Sequence, residues 1–351
     1  MKDDTHLNRR GFLGAGLLAA GTAAGWATGC SKREPARRTA DKPDLDGRFQ
    51  YDISAYTHTD PALLLYEETA SFPTALDEPR GLAMGPDGAL LIAGDQAVRI
   101  FAPDGKLQSC LALAGKPLAL APAGPGRFCV AMKDHLVWVD GAGKLQSSGE
   151  PLGPQAHLTS VVCTGDAVFA ADAGHREIIR FDGAGRIAGR FGKIGARDGS
   201  PGFMLPSPYF HLALGPDGLL WANNPGRHSL EAYTPDGKFE LAWGTAAMSV
   251  EGFCGCCNPV YFALRPDGKF VTSEKGLVRI KLYDAKGKFE GVVAGPEQLV
   301  KDRELAAKAC VNCSVGFGFD VACDAQGRVL ALDPAARTIR VFTPKAGPIR
   351  T

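Results

Sequence analysis

The amino-acid sequence predicts an all-β protein folded as a six-bladed β-propeller. The first observation is an internal repeat, whose clearest copies occupy residues 81–113, 210–244 and 261–295. Each copy runs apolar strand, glycine turn, apolar strand, short polar loop, strand ending in an aromatic residue, second glycine turn, strand. The second observation is composition: 44 glycines and 24 prolines favour short strands joined by tight turns, and long helical patterns are scarce.

The repeat count follows from the turns. Pro-Asp-Gly marks a turn because proline presets φ and glycine supplies the left-handed position. Weaker copies occupy 117–150, 157–192 and 318–343, which makes six units of four strands, the pattern of propeller blades. The last unit lacks one strand, and the unassigned strand at 62–69 can supply it. We therefore expect an N-terminal strand to close the ring.

Over nearly all of 60–346, this order of strands and turns resembles the NHL-repeat six-bladed β-propellers. The segment Cys-Gly-Cys-Cys-Asn-Pro at 254–259, followed by Phe-Ala-Leu-Arg-Pro-Asp-Gly, resembles an exported subgroup of such proteins. The resemblance implies the fold and a shared site at the motif. It does not imply one activity, because propellers host many.

Charge and size limit the choice of partners. The chain of 351 residues is long enough for a full core, and its formal net charge is only +1. A nearly neutral chain argues against nucleic acid or an anionic membrane surface as the main partner.

The N-terminus has the layout of an export signal. Arg9 and Arg10 precede an uncharged Gly/Ala-rich stretch at 11–29, which resembles a bacterial twin-arginine signal peptide. Residues 27–30 resemble a lipobox, with Cys30 as the lipidated residue, although Ala27 stands where leucine is usual. The alternative is simple cleavage nearby. A lipidated Cys30 would tether the protein to a membrane without spanning it.

These features divide the chain into three parts. Residues 1–30 are the predicted signal peptide, 31–58 a charged, flexible tether, and 59–346 the propeller. The predicted location is therefore the periplasm, with or without a lipid anchor.

Five cysteines form two groups in front of adjacent blades. Cys254, Cys256 and Cys257 precede the first strand of blade five, and Cys310 and Cys313 precede the first strand of blade six. The first strand of a blade lies beside the central axis. We therefore expect both groups to meet near the axis, on the face that carries the connections between blades.

Two chemistries fit this arrangement. Four or five thiolates can bind an iron–sulfur cluster, zinc or copper(I), and Cys310 and Cys313 have chelating Cys-x-x-Cys spacing. Twin-arginine export of folded proteins suits a cofactor inserted before export. An oxidising compartment equally favours two disulfides with one thiol left over. The remaining strand cysteines, Cys110, Cys129, Cys163 and Cys323, are expected to be small apolar core residues.

Other polar residues are expected on the same face, in the loops between strands two and three. Asp172 and Glu274 are examples. Such residues shape turns, or they form an anion pocket or a calcium site like that of six-bladed lactonases. Lys275 could offset the charge of a thiolate cluster. A short helix is expected at 297–309, and no Ser-His-Asp triad, phosphate loop or zinc-protease signature is present.

The sequence therefore predicts an exported propeller with a cysteine-ligated metal centre, iron–sulfur foremost, for electron transfer or metal handling. Its partner would be a periplasmic redox or metal-handling protein. One alternative is a cofactor-free protein-binding scaffold stapled by disulfides. A second is a calcium-dependent, lactonase-like hydrolase. The pattern favours a redox accessory protein over a hydrolase.

Overall fold

The computed structural model describes residues 54–300 and 318–346. Within these ranges, 24 strands form six antiparallel sheets of four strands each. The predicted six-bladed propeller is confirmed. Arg9, Arg10 and Cys30 lie outside the described residues. Among the helices in the described part of the chain, none has the length and apolar character needed to cross a membrane.

Blades one to three follow one another along the chain. Blade one contains β2 (Pro79–Met84), β3 (Leu90–Gly94), β4 (Ala97–Phe101) and β5 (Leu107–Ala112). Blade two contains β6 (Ala119–Pro122), β7 (Arg127–Ala131), β8 (Leu136–Asp140) and β9 (Leu145–Ser148). Blade three contains β10 (Leu158–Cys163), β11 (Ala167–Asp172), β12 (Glu177–Asp182) and β13 (Ile187–Phe191).

Blades four to six complete the ring. Blade four contains β14 (Leu212–Leu214), β15 (Leu220–Asn224), β16 (Ser229–Tyr233) and β17 (Phe239–Trp243). Blade five contains β18 (Tyr261–Leu264), β19 (Phe270–Glu274), β20 (Arg279–Tyr283) and β21 (Phe289–Ala294). Blade six contains β22 (Asp320–Cys323), β23 (Val329–Asp333), β24 (Thr338–Pro344) and β1 (Tyr66–Pro73).

Burial explains why the middle strands are apolar runs. Every residue of β3 and β19 is buried, because these strands lie between neighbouring blades and are covered on both faces. Most outermost strands are open to water, and every residue of β9 is exposed. β21 is an exception, because its last four residues are buried. Cys110 lies on an outer strand and is exposed, so its expected place in the core was wrong.

Two faces result from the strand directions. The turn face carries the turns between strands one and two and between strands three and four. The connection face carries the loops between strands two and three and the links between blades. On the turn face, Asp140, Asp182, Asp284 and Asp324 each accept the backbone N–H groups two and four residues later. The first three residues fix turns between strands three and four, and Asp324 fixes a turn between strands one and two.

The N-terminal strand closes the ring as the sequence predicts. β1 pairs antiparallel with β24, so the sheet order is β1-β24-β23-β22. The strand begins at Tyr66 rather than residue 62, because Pro61–Leu63 forms a 3-10 turn capped by the Asp60 side chain.

A short helix, α1 (Pro296–Leu299), follows β21. It ends at Leu299, and the backbone of Val300 is extended, so the expected helix at 297–309 stops early within the described residues. Residues 301–317 lie outside them. Glu297 accepts the Thr59 N–H at 3.0 Å and contacts His58, which places the end of the expected tether against the propeller.

Arg340 of β24 connects β1 to α1 through hydrogen bonds and an ion pair. Its guanidinium bonds both carboxylate oxygens of Glu68 on β1, at 3.0 and 2.5 Å. It also donates to the backbone carbonyls of Gln298 and Leu299 at the end of α1. The side chain is only 8% exposed, so the ion pair is poorly screened by water.

We expect Arg340→Met to lower the free energy of unfolding by about 3 kcal/mol, because Glu68 and two carbonyls lose their partner in a largely buried setting. The matched control is Arg186→Met, which removes an exposed ion pair with Asp182 and should cost at most about 0.5 kcal/mol. Chemical denaturation measures both values. Equal losses for the two variants would contradict this role of Arg340.

Candidate metal centre

The cysteine loop, residues 253–259, belongs to the link between β17 and β18. It therefore lies on the connection face, directly before the innermost strand of blade five, as the sequence predicts for Cys254, Cys256 and Cys257. The second group, Cys310 and Cys313, falls in residues 301–317, outside the described residues. The meeting of the two groups stays a prediction.

Cys256 and Cys257 bring their sulfur atoms together. The Sγ–Sγ distance is 3.7 Å, with Cys257 buried and Cys256 exposed. A disulfide would need about 2.05 Å. Two thiolates on one tetrahedral metal, with metal–sulfur bonds of about 2.3 Å, lie about 3.8 Å apart. The separation is that of a hydrogen bond between two thiols, and it is also compatible with two ligands of a single metal ion.

Cys254 lies in a different environment. Its backbone N–H donates to Glu274 Oε1 at 2.8 Å, and the residue is 4% exposed. Burial, together with the Glu274 carboxylate, raises the pKa of the Cys254 thiol to about 12. Metals bind the thiolate form. Within the described residues, Cys254, Cys256 and Cys257 do not place all three sulfurs within 4.8 Å of one another.

Asn258 fixes the shape of the loop. Its side-chain amide donates to the carbonyls of Cys254 and Lys275, at 2.7 and 2.8 Å. Its Oδ1 accepts the Lys275 N–H at 2.9 Å. His228 Nε2 lies 2.6 Å from the carbonyl oxygen of Gly255, whose φ of 72° favours glycine. The loop is thus tied to blades four and five.

A buried cluster of charged side chains supports the cysteine loop through the hydrogen bond between Glu274 and the Cys254 N–H. Glu274 Oε2 lies 2.7 Å from Arg279 Nε and 3.1 Å from Lys281 Nζ, and all three side chains are at most 3% exposed. Burial would raise the pKa of Glu274, but Lys281 and Arg279 outweigh it and the pKa is lowered. Burial lowers the pKa of Lys281 to about 8. Both Glu274 oxygens therefore have partners within the protein.

Residues at the position of Glu274 in other blades also accept backbone hydrogen bonds from nearby loops. The last residue of the second strand accepts a backbone N–H with its side chain in blades three to six. The acceptors are Asp172, Asn224, Glu274 and Asp333. In three of these blades the donor belongs to the incoming link: His157, Met204 or Cys254. These contacts support the interpretation that such residues shape the loops.

One group of potential oxygen and nitrogen ligands occurs elsewhere in the described residues. Ligand atoms of Asp172, His175 and Glu177 lie within 4.8 Å of one another. Asp172 already accepts three backbone N–H groups and bonds His175 Nδ1 at 2.7 Å. Glu177 is paired with Arg190. Both Asp172 oxygens and Glu177 Oε1 therefore already have partners within the protein.

Lys275 lies close to the cysteine loop, as proposed from the sequence. Its Nζ is 3.3 Å from Ser207 Oγ and 4.8 Å from the centre of the Tyr209 ring. Burial raises the pKa of Tyr209, Lys275 opposes that rise, and Cys257 adds to it. The lysine and the cysteine therefore both act on the same tyrosine.

Tyr209 also borders a cavity along the propeller axis. The cavity has a volume of about 660 Å³ and is lined by the first strand of every blade. His211 lines it, and burial lowers the pKa of His211 to about 4, so the imidazole is neutral. Sequence analysis did not select these residues. The available signal was a set of polar or aromatic residues at the start of the first strands.

Asp320 joins the last blade to the first at this hub. Its Oδ2 accepts the Leu82 N–H from blade one at 2.9 Å, and its Oδ1 accepts the Val321 N–H. Burial raises the pKa of Asp320 to about 7, although both N–H groups oppose the rise.

Comparison with known proteins gives the fold. No protein-family model and no curated protein matches the chain. Among solved structures, virginiamycin B lyase from Staphylococcus aureus is 12% identical, with a TM-score of 0.50 over 79% of this chain and 99% of the lyase. A catalytically inactive variant of that lyase with quinupristin is 12% identical, with a TM-score of 0.53 over 79% of this chain and 99% of the variant. A Bacteroides thetaiotaomicron protein of unknown function is 13% identical, with a TM-score of 0.50 over 79% of this chain and 72% of that protein. At these identities the likeness shows a six-bladed propeller and no shared activity.

We expect Glu274→Gln to lower the free energy of unfolding by about 3–5 kcal/mol, because Arg279 and Lys281 would remain buried without a counter-charge. Glu290→Gln is the matched control, since Glu290 pairs with Lys269 at the surface and should cost about 1 kcal/mol or less. Denaturant titration measures both. A loss below 1 kcal/mol for Glu274→Gln would rule out this anchoring role.

We expect the contribution of Asp320 to stability to fall as pH rises. Its pKa is about 7 in the folded protein and near 3.8 when unfolded, so the folded state holds more protons between these values. The stability advantage of the native protein over Asp320→Asn should shrink from pH 4 to pH 8, by about 1.4 kcal/mol for each pH unit that lies between the two pKa values. Asp284→Asn is the control, because the pKa of Asp284 is lowered. A pH-independent difference for Asp320→Asn would contradict the expectation.

Proposed function

We propose that this protein holds a metal centre at the hub of its connection face and uses it for electron transfer or metal handling. Cys256 and Cys257 supply two thiolates, and Cys310 and Cys313 supply the other two. The observation that carries this proposal is the 3.7 Å distance between the sulfurs of Cys256 and Cys257. That spacing matches two ligands of one tetrahedral ion and is far too long for a disulfide.

The reach of the chain supports the second pair of ligands. Gly318 lies so near Tyr209 that a β-carbon on Gly318 would come within 3.0 Å of the tyrosine ring. Tyr209 borders the cysteine loop through Lys275 and Cys257. Cys313 is five residues before Gly318, so at most about 18 Å of extended chain separates them. A tether of this length would let the second cysteine group reach the first.

The spacing also favours certain metals. A [2Fe–2S] cluster held by four cysteines takes two on each iron, and a zinc or single iron ion takes all four. A four-iron cluster takes one cysteine on each iron, so a 3.7 Å pair suits it less well. We propose an iron–sulfur centre of the two-iron type, with a single zinc or iron ion as the next choice and copper(I) after them.

The structure supports leaving Cys254 out of the ligand set. Its sulfur is buried beside a carboxylate that opposes the thiolate form, and its backbone serves to anchor the loop. Among the seven cysteines of the described residues, none is joined to another by a disulfide. Disulfides that involve Cys310 or Cys313 would correspond to the alternative, a cofactor-free binding scaffold.

Export completes the proposal. The twin-arginine pair, Arg9 and Arg10, and the lipobox-like Cys30 support a periplasmic location, where a redox or metal-handling protein would be the partner. Folded export would carry the thiolate site across the membrane with its metal already bound. Lys275 would offset part of the negative charge of the cluster.

The test is to purify the full chain without oxygen and to measure metal, acid-labile sulfide and reactive thiols. We expect about two iron and two sulfide per chain, or about one zinc or iron without sulfide. Cys256→Ser and Cys257→Ser should each lower the metal content at least about ten-fold, because a tetrahedral site would lose one ligand.

Cys254→Ser and Cys110→Ser are the controls and should retain metal, since one sulfur faces the charge cluster and the other lies exposed on β5. Thermal melting verifies that each variant is folded. A chain without metal whose clustered thiols are blocked as disulfides would reject the metal centre in favour of the scaffold. Metal loss in Cys254→Ser equal to that in Cys257→Ser would reject the ligand assignment.

A further inference from the structure

We propose that the axial cavity binds a small amphipathic carboxylate, with its charged head at the connection face and its apolar tail toward the turn face. The cavity adjoins the cysteine loop at Tyr209, but binding of a ligand there does not depend on the metal proposal. The volume of about 660 Å³ is in the range that accommodates a small organic ligand.

Strand direction sorts the cavity wall into two ends. Every first strand starts at the connection face and runs toward the turn face, so wall residues early in these strands share one end. The wall residues at that end are Arg80, His157, Thr159, Tyr209, His211 and Tyr261. Those at the opposite end are Met84, Pro122, Cys163, Leu214, Leu264 and Cys323. One end is polar and aromatic, and the other is apolar.

The polar end is rich in hydrogen-bond donors. Burial raises the pKa of Tyr209 and Tyr261, so both phenols stay protonated. Within the described residues, no side chain or carbonyl accepts a hydrogen bond from either hydroxyl. Arg80 adds a guanidinium at the rim, where it pairs with the exposed Glu78. A ligand that supplies acceptor oxygens fits these donors better than one that supplies more donors.

Asp320 is the acidic group at this end, and burial raises its pKa to about 7, so it is mostly protonated and neutral below that pH. When ionised, its charge adds to the effect of burial in raising the pKa of Tyr261. Both oxygens of Asp320 accept backbone N–H groups, from Leu82 and Val321, so its carboxylate is directed into the strands. Asp320 is 4% exposed. His211 is a neutral imidazole and can donate through one nitrogen.

Aromatic packing holds the donors in place. The rings of Tyr209 and Tyr261 meet edge to face with centres 5.5 Å apart, and His211 meets Tyr261 at the same distance. Such contacts limit side-chain rotation, so little order has to be gained when a ligand binds. At the far end, apolar side chains and two thiols offer a surface that suits a short alkyl chain and offers few partners to a second charge.

Calorimetric titration of the full-length protein with octanoate tests the proposal. We expect saturable binding with one site per chain, and binding of octylammonium at least about ten-fold weaker, because the polar end presents donors. Tyr261→Phe and Tyr209→Phe should each weaken octanoate binding about ten-fold, as expected for loss of a hydrogen bond to a charged group. Tyr56→Phe, on an exposed tyrosine outside the cavity, is the matched control and should bind as the native protein does.

Cys256→Ser separates this site from the metal centre, since it should lose metal but keep octanoate affinity. The proposal is overturned if octanoate gives no saturable heat up to millimolar concentration, which would make the cavity a solvent channel. Equal or tighter binding of octylammonium would also overturn it. Affinity that is unchanged in both tyrosine variants would place the carboxylate elsewhere and overturn it as well.

Discussion

The candidate site depends on one contact, the side chain that ends the second strand of a blade and accepts a backbone N–H from the incoming link. Glu274 does this for Cys254, Asn224 for Met204 and Asp172 for His157. A link without such a contact would leave buried polar backbone groups unpaired, at a cost of about 1–3 kcal/mol each. The contact therefore determines where the links enter the hub and which of their side chains face the axis.

This contact also separates cysteines that are neighbours in sequence. The Cys254 backbone is hydrogen-bonded to the Glu274 carboxylate, which also pairs with the two cations Arg279 and Lys281. Burial and this carboxylate keep the Cys254 thiol in its neutral form. Cys256 and Cys257 lie beyond the anchor, with their sulfurs 3.7 Å apart. Asn258 then locks the end of the loop to Lys275. One buried carboxylate thus fixes the loop and leaves two sulfurs in a geometry that suits a metal.

The hub combines two chemically different regions. The connection face carries the cysteine loop and the polar mouth of the cavity, and Tyr209 belongs to both. The likeness to lyase structures at 12% identity shows the fold alone. A propeller ring tolerates unrelated links because each blade packs mainly on its neighbours. Function is therefore to be sought in the links and at the hub, rather than in the blades.

The sequence alone determined the six-bladed ring, its closure by an N-terminal strand and the face on which the cysteine loop lies. Turn residues and strand periodicity are local signals, and a repeated unit carries them through the whole ring. The sequence did not distinguish Cys254 from Cys256 and Cys257. It also predicted Cys110 in the core, whereas the structure shows Cys110 exposed on an outer strand. Only the tertiary structure revealed the Glu274–Arg279–Lys281 cluster and the axial cavity with Tyr209, His211 and Tyr261. Burial, pKa and sulfur–sulfur distance depend on contacts between residues far apart in the chain, and no local pattern encodes them.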